Sequence, residues 1–254
     1  MKELLDFHRI EINPATNNQH LGECPFCNKL KLYVNLEKQL WDCKTCGVEG
    51  NQFTLLTLLH KHYLGKTTEY DYYQLAKKRN GIQADTFRMA GFAWDSVNNR
   101  WLVPYQNGSE FLNNLGAINP SRGFKIFKSP GLPLKLYRPF HTKELASTVV
   151  VTEGEWDLLA IYPHLPSGYS VVSIPGAMSF KQEFIPLFRN KNVILLYDKD
   201  DAGRAGIAKA VRLLNPIAES IKFLAWPEDY EFPSAEDPNK EGKDLRDLVA
   251  HNKS

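Results

Sequence analysis

Apolar and polar positions follow three different rhythms along this chain of 254 residues. From about residue 146 the alternation is cleanest. Mainly apolar runs at 148–152, 169–174, 193–197 and 221–225 read as strands, and segments of helical period follow at 155–162, 180–189, 202–214 and 245–251. Strands that are apolar on both faces and alternate with helices predict a mainly parallel sheet covered on both sides. The middle of the chain, roughly 70–145, is less regular. Helical patterns at 72–79 and 84–90 give way to short strands at 100–105 and 109–112, broken by Asn and Gly turns. The beginning, to about Gly65, predicts two short strands at 30–34 and 39–42 and an apolar helix over 53–60. A polar linker at 66–69 follows. The expected division is therefore 1–65, 66–145 and 146–254.

The first section holds all four cysteines, as Cys24-Pro25-Phe26-Cys27 and Cys43-Lys44-Thr45-Cys46, with fifteen residues between the pairs. Two such knuckles, joined by two strands, fold over one tetrahedral metal with two thiolates from each. Two disulfides or a rubredoxin-like iron site are the competing readings. A disulfide scaffold, however, spreads its cysteines along a secreted chain, and nothing here resembles a signal peptide. Structural Zn²⁺ on Cys24, Cys27, Cys43 and Cys46 is expected, in a reducing, cytoplasmic compartment. Four thiolate ligands leave no open coordination position, so this zinc ribbon holds its fold and does no chemistry.

Composition adds two constraints. A hydrophobic content of 43% supports real cores, and no apolar run has the length of a membrane span. The net charge is only +2, but between Arg100 and Lys143 seven Lys or Arg residues face a single acid, Glu110. A basic middle section suits a polyanion such as a nucleic-acid strand or a nucleotide. Gly65-Lys66-Thr67 is not a phosphate-binding P-loop, because the glycine required five positions earlier is His60.

The acids fall where the predicted sheet would use them. Glu153 and Asp198 each close an apolar strand, and ligands of such sheets sit at the carboxyl ends of the strands. Asp198-Lys199-Asp200 places two carboxylates at i and i+2, on one side of an extended backbone. Asp244 precedes the last helix. Any one of these acids is explained by helix capping. Several converging on one edge repel each other unless cations lie between them, and oxygen ligands of this kind suit Mg²⁺ or Mn²⁺.

These residues carry a family resemblance. Val151-Thr152-Glu153-Gly154-Glu155-Trp156-Asp157, followed by Tyr197-Asp198-Lys199-Asp200-Asp201-Ala202-Gly203-Arg204, resembles the TOPRIM signature, an E-G motif followed by D-x-D. The cysteine segment is similar to the zinc-binding domain of DnaG-type primases. Residues 79–86 and 100–105 are similar to the segment joining the zinc and TOPRIM modules of those enzymes. Residues 125–131 resemble their lysine-bearing strand. The resemblance spans nearly the whole chain in the family's order and is closest to the primase half of phage primase–helicases. One departure is that all four zinc ligands are cysteine, where many family members use a histidine.

The resemblance implies a multi-domain α/β protein: an N-terminal zinc ribbon and a primase core containing a Rossmann-like TOPRIM domain. It implies that Glu153, Asp198, Asp200 and Asp244 bind Mg²⁺ or Mn²⁺ and act in catalysis, with Asp157 as a secondary acid. Lys125, with Arg122 and Lys128 as neighbours and Arg100 upstream, is expected to contact nucleotide or template. Tyr33 and Trp41 of the ribbon are expected to stack on bases, with packing of the ribbon core as the competing role of Trp41. The expected activity is DNA-dependent synthesis of RNA primers from ribonucleoside triphosphates on single-stranded DNA. A replicative helicase or another replisome subunit is the expected partner, in the cytoplasm of a bacterium or a virus-infected cell, with no membrane involved. The competing readings are a TOPRIM-type metal-dependent nuclease and a non-catalytic zinc-ribbon DNA-binding subunit.

Overall fold

A computed structural model of the chain describes residues 1–106, 109–121, 123–133, 135–140, 144–176, 179–226, 231–237 and 239–252. The chain forms two compact units, each assembled from two stretches of sequence. One comprises Met1–Thr67 with Gly91–Leu134, the other Thr68–Ala90 with Lys135–Ser254. The middle section anticipated at 66–145 is thus shared between them.

In the first unit a short helix α1 (Lys2–Phe7) precedes a five-stranded antiparallel sheet in sequential order: β1 (Ile12–Pro14), β2 (Gln19–Gly22), β3 (Leu32–Asn35), β4 (Leu40–Cys43) and β5 (Glu49–Asn51). β3 and β4 are the strands expected between the cysteine pairs, and they pair with Val34 opposite Trp41. Helix α2 (Gln52–Leu64) starts where the Asn51 side chain accepts hydrogen bonds from the amides of Phe53 and Thr54, satisfying donors that have no partner within the helix. A second antiparallel sheet, β6 (Ala93–Asp95), β7 (Arg100–Tyr105) and β8 (Asn114–Ile118), completes the unit. Leu102, Leu112, Leu115 and Ala117 of this segment share one core with Leu32, Val34, Trp41, Leu55 and Leu59. The ribbon is therefore not a separate bead. The strand expected at 109–112 begins later, at Asn114, because the Ser109 hydroxyl donates to the Phe111 carbonyl and turns the chain before the ladder starts. The expected linker is also ordered: Thr67 Oγ1 accepts from the Trp94 amide, and Thr68 caps the next helix in a reciprocal box with Asp71.

The second unit opens with α3 (Glu69–Lys78) and α4 (Ala84–Met89), then a four-stranded parallel sheet. Its strands are β9 (Thr148–Thr152), β10 (Tyr169–Ser173), β11 (Asn192–Leu196) and β12 (Ser220–Phe223), in spatial order β10-β9-β11-β12. Helices α5 (Glu155–Ile161), α6 (Asp201–Leu214) and α7 (Leu245–His251) follow β9, β11 and β12. Where helix was expected at 180–189, the chain forms a 3₁₀ turn over Gln182–Phe188. Pro186 lies inside it and has no amide to donate to an α-helical ladder. On one face of the sheet Val149, Val151, Val172, Val193 and Leu195 pack with Leu214 of α6, all fully buried, and Val150 and Val171 are buried on the opposite face. Among the described residues no helix is long and apolar enough to cross a membrane.

This strand order fixes where a ligand belongs. β9 and β11 are neighbours, but the chain leaves β9 toward β10 and leaves β11 toward β12, in opposite directions. That divergence opens a crevice at the carboxyl ends of β9 and β11, the general binding position of open α/β sheets. The tightness of the turn after β11 requires Gly203, since a Cβ there would lie 2.3 Å from the Asp198 carbonyl oxygen. Gly203→Ala is expected to destabilise the second unit by about 1–3 kcal/mol through this overlap. A urea unfolding midpoint unchanged from wild type would show that the turn relaxes freely.

Candidate active site and metal centre

The four cysteines close the first site. β2 leads into Cys24 and Cys27, β4 ends at Cys43, and Cys46 lies in the turn before β5. All four Sγ atoms lie within 4.8 Å of one another, with Cys24 and Cys46 3.8 Å apart and Cys27 and Cys43 3.7 Å apart. A tetrahedron with metal–sulfur bonds of about 2.3 Å has sulfur–sulfur edges of about 3.8 Å. A disulfide requires about 2.05 Å, and the cysteines are free. Burial pushes the Cys24 thiol up to about 12. At Cys43 burial acts in the same direction, but the amides of Cys46 and Thr45 outweigh it and bring the thiol down to about 7. Backbone donors aimed at sulfur favour the thiolate that a metal needs. The donor set, spacing and separations fit a structural zinc ion.

The second site lies at the β9/β11 crevice. Glu153 follows β9 directly, and its Oε2 accepts from the Asp198 amide at 3.5 Å. Asp200 caps α6 through its bond to the Gly203 amide at 2.8 Å, and Lys243 Nζ lies 3.2 Å from its other oxygen. Asp244 caps α7 by accepting from the Asp247 amide at 2.7 Å. The Lys199 amide donates to the Lys243 carbonyl at 2.7 Å, tying the loop after β11 to the approach to α7. Asp157, one turn into α5, is buried and accepts from the Arg246 amide at 3.4 Å.

The structure thus brings Glu153, Asp157, Asp198, Asp200 and Asp244 to one edge of one sheet. Burial, then Glu153, Asp244 and Asp200, push the Asp198 carboxyl up to about 8. Asp157 is driven well above the usual carboxylate range by burial, then Asp244 and Asp198, and burial also raises Asp244. Asp200 moves down, held by the Gly203 amide and Lys243. Buried acids that raise one another's pKa present a donor set for a divalent cation. Among the described residues, only the cysteines gather three or more ligand atoms tightly enough to hold one ion by themselves. The acids are not gathered that tightly around one point.

This electrostatic crowding has a measurable consequence. A carboxyl raised in the fold stabilises the fold below its unfolded pKa of about 3.9, and that contribution is lost as pH rises toward the folded value. For Asp198 the window runs from about 4 to about 8. Buried His8, lowered to about 3, acts in the opposite direction only below about pH 6.5. Zinc-loaded protein without added Mg²⁺ is therefore expected to lose stability between pH 6.5 and 8 by up to about 1.4 kcal/mol per unit for each raised carboxyl, Asp157 as well as Asp198. Asp198→Asn should reduce that slope by the share of Asp198, as read from urea midpoints.

The expected nucleic-acid contacts are placed unequally. Lys125 is exposed and Lys128 half-buried, with their ammonium groups 5.6 and 5.5 Å from the Phe127 and Tyr105 ring centres. Tyr33 is half-buried on β3. Trp41 is not available to a base. It is 3% exposed in the ribbon core, and its indole N–H donates to the Asn51 carbonyl at 2.8 Å. Arg100 is likewise committed to the fold, with Nε 2.8 Å from Asp95 Oδ2 and its remaining nitrogens on the Phe7 and His8 carbonyls. Arg122 lies outside the described residues. Sequence reasoning missed Lys243, Glu236 and Arg246 around the acids. The lysine preceding Asp244 was visible, but nothing local marked Arg246 as buried.

Comparison with known proteins agrees with this geometry. Residues 150–241 match the Toprim-like family and form a Toprim-like domain. Over 146 residues, 53% of this chain, the sequence is 30% identical to the DNA helicase/primase of Enterobacteria phage T3. The chain spans only 25% of that relative's length. The primase fragment of the bacteriophage T7 primase-helicase superposes with a TM-score of 0.53 at 18% identity, covering 91% of this chain and 94% of that one. The E. coli primase catalytic core gives 0.55 at 17% identity, covering 78% and 75%. The chain thus has a primase-type fold, a four-cysteine ribbon and a Toprim-like domain.

Proposed function

We propose that this protein is a DNA-dependent RNA primase. The observation that carries the reading is the set of carboxylates at the β9/β11 crevice of a Toprim-like domain, within a chain of primase-type fold. Glu153, Asp198, Asp200 and Asp244 would hold Mg²⁺ or Mn²⁺, and the four cysteines Zn²⁺. When bound, the divalent ion supplies Lewis acidity to the phosphoryl oxygens and favours ionisation of the attacking hydroxyl. The chain's own residues orient the site. The Asp198 amide fixes Glu153, the α6 N-terminus and Lys243 keep Asp200 ionised, and the α7 cap orients Asp244. In the reaction, the 3′-oxygen of one ribonucleotide bonds to the α-phosphorus of the next, the α–β phosphate bond breaks, and pyrophosphate leaves. Lys125 and Lys128 would contact phosphates of template or nucleotide, and Tyr33 is the ribbon aromatic left to meet a base.

Single-stranded DNA and ribonucleoside triphosphates are the proposed substrates. The phage relative joins helicase and primase in its name, and a helicase is the proposed partner, in the cytoplasm of an infected cell. Incubation with single-stranded DNA, labelled ribonucleotides and Mg²⁺ tests the reading. Short labelled products are expected. Cleaved template without products would instead identify a nuclease, and DNA binding with neither outcome a non-catalytic subunit.

A further inference from the structure

A buried pair of arginines stands behind the carboxylate edge, and neither has a role in the chemistry above. Arg79, at the end of α3, and Arg246, in α7, are both almost fully buried. The Arg79 guanidinium stacks 4.2 Å from the centre of the Trp156 ring, and its Nη1 pairs with Glu236. The same Glu236 oxygen lies 3.4 Å from Arg246 Nη2, which in turn lies 3.8 Å from Asp244 Oδ2 and 3.5 Å from Asp247 Oδ1. The Arg246 backbone is held as well. Gly81, at φ +93°, comes so close that a Cβ there would meet the Arg246 carbonyl oxygen at 2.9 Å. The Arg246 amide donates to Asp157.

We propose that Arg79 is a positioning residue for the carboxylate site, acting through Glu236 and Arg246 on Asp244 and Asp157. Two guanidiniums side by side repel each other, and the single carboxylate of Glu236 bridges both. Without Arg79, Glu236 would engage Arg246 alone and draw it from Asp244, while the Gly81 contact would lose its anchor two residues away. The orientation of two acids at the crevice therefore depends on a helix pair far from them in sequence. The groups that hold a metal's ligands commonly set its affinity by about ten- to a hundredfold. This inference rests on the reading that the acids bind a divalent cation.

Mn²⁺ binding to the full zinc-loaded chain, followed by the loss of the free-ion paramagnetic resonance signal, separates positioning from simple support. Arg79→Gln and Glu236→Gln are each expected to raise the Mn²⁺ dissociation constant about tenfold. Glu236 is 60% exposed, so its amide variant opens no cavity and serves if the arginine variant fails to fold. Arg79→Lys should not restore affinity, since an ammonium lacks the planar fork that stacks and pairs at once. In the Asp244→Asn background the Glu236→Gln effect should vanish, because the two act in series. Unchanged affinity in Glu236→Gln, or an effect fully additive with Asp244→Asn, would overturn the proposal, as would wild-type protein that binds no Mn²⁺. Wild-type protein that binds Mn²⁺ but makes no primers would sink the primase reading alone.

Discussion

Cys43→Ser is expected to unfold the whole first unit, β6 to β8 included, and to leave the second unit folded. Cys43 is a buried member of the core that also contains Leu102, Leu112, Leu115 and Ala117. Losing a thiolate removes a large part of a metal contribution that reaches about 10–16 kcal/mol in zinc-finger peptides at neutral pH. That is comparable to the entire stability of most domains, about 5–15 kcal/mol. The strands at 93–118 carry no metal ligand, yet they pack on residues that only the folded ribbon supplies. The parallel sheet has its own core of Val149, Val151, Val193 and Leu195 and needs none of this. Amide exchange mapped along the chain checks both halves. Persistent protection in β7 and β8 of the variant would mean that this sheet stands without the ribbon. Elemental analysis of the wild type should give one zinc per chain, and iron in its place would overturn the assignment.

Glu153→Gln and Asp200→Asn should each reduce nucleotide joining by at least about a thousandfold, the loss expected when several kcal/mol of charge stabilisation disappears. Their effects on stability should be small. Asn caps a helix about as well as Asp, so α6 keeps its start. Removing the Glu153 charge relieves repulsion on Asp198, and the metal-free variant should be at least as stable as wild type above pH 7. Activity and stability thus move in opposite directions at Glu153, as at sites where function is maintained against electrostatic strain. Quantified primer products beside urea midpoints test the pair. Near-normal synthesis by either variant would remove these residues from the catalytic set.

The parallel sheet was legible because its strands, β9 and β10 above all, are buried on both faces or nearly so and read as mainly apolar runs, while α5 and α6 carry a different period. The metal-binding cysteines were legible because their spacing is local. The place of Glu153, Asp198 and Asp200 at the carboxyl edge of the sheet was legible because strand ends are visible in sequence. What sequence could not resolve was which long side chains turn inward. Trp41 and Arg100 belong to residue types that serve equally in cores and on nucleic acids. Only the partners decide, and Asn51 and Asp95 decide for the core. Arg79 shows the same limit more sharply, since Glu236 lies 157 positions away. A division read along the chain also has no means of seeing that 68–90 joins the stretch after 134.

The interleaving of the two units constrains the order in which a growing chain can complete them. The first unit needs nothing beyond residue 134 and can close as soon as that point clears the ribosome. Helices α3 and α4 emerge earlier but must wait for α5 and α7, to which Arg79, Gly81 and Phe87 fit. At a synthesis rate of about 5–20 residues per second, that wait is on the order of ten seconds or more. During it the α3–α4 pair is a spliced-in loop of a finished domain, with its apolar side uncovered. Nascent chains stalled soon after residue 134 has cleared the ribosome should therefore be the form of this protein most prone to chaperone capture.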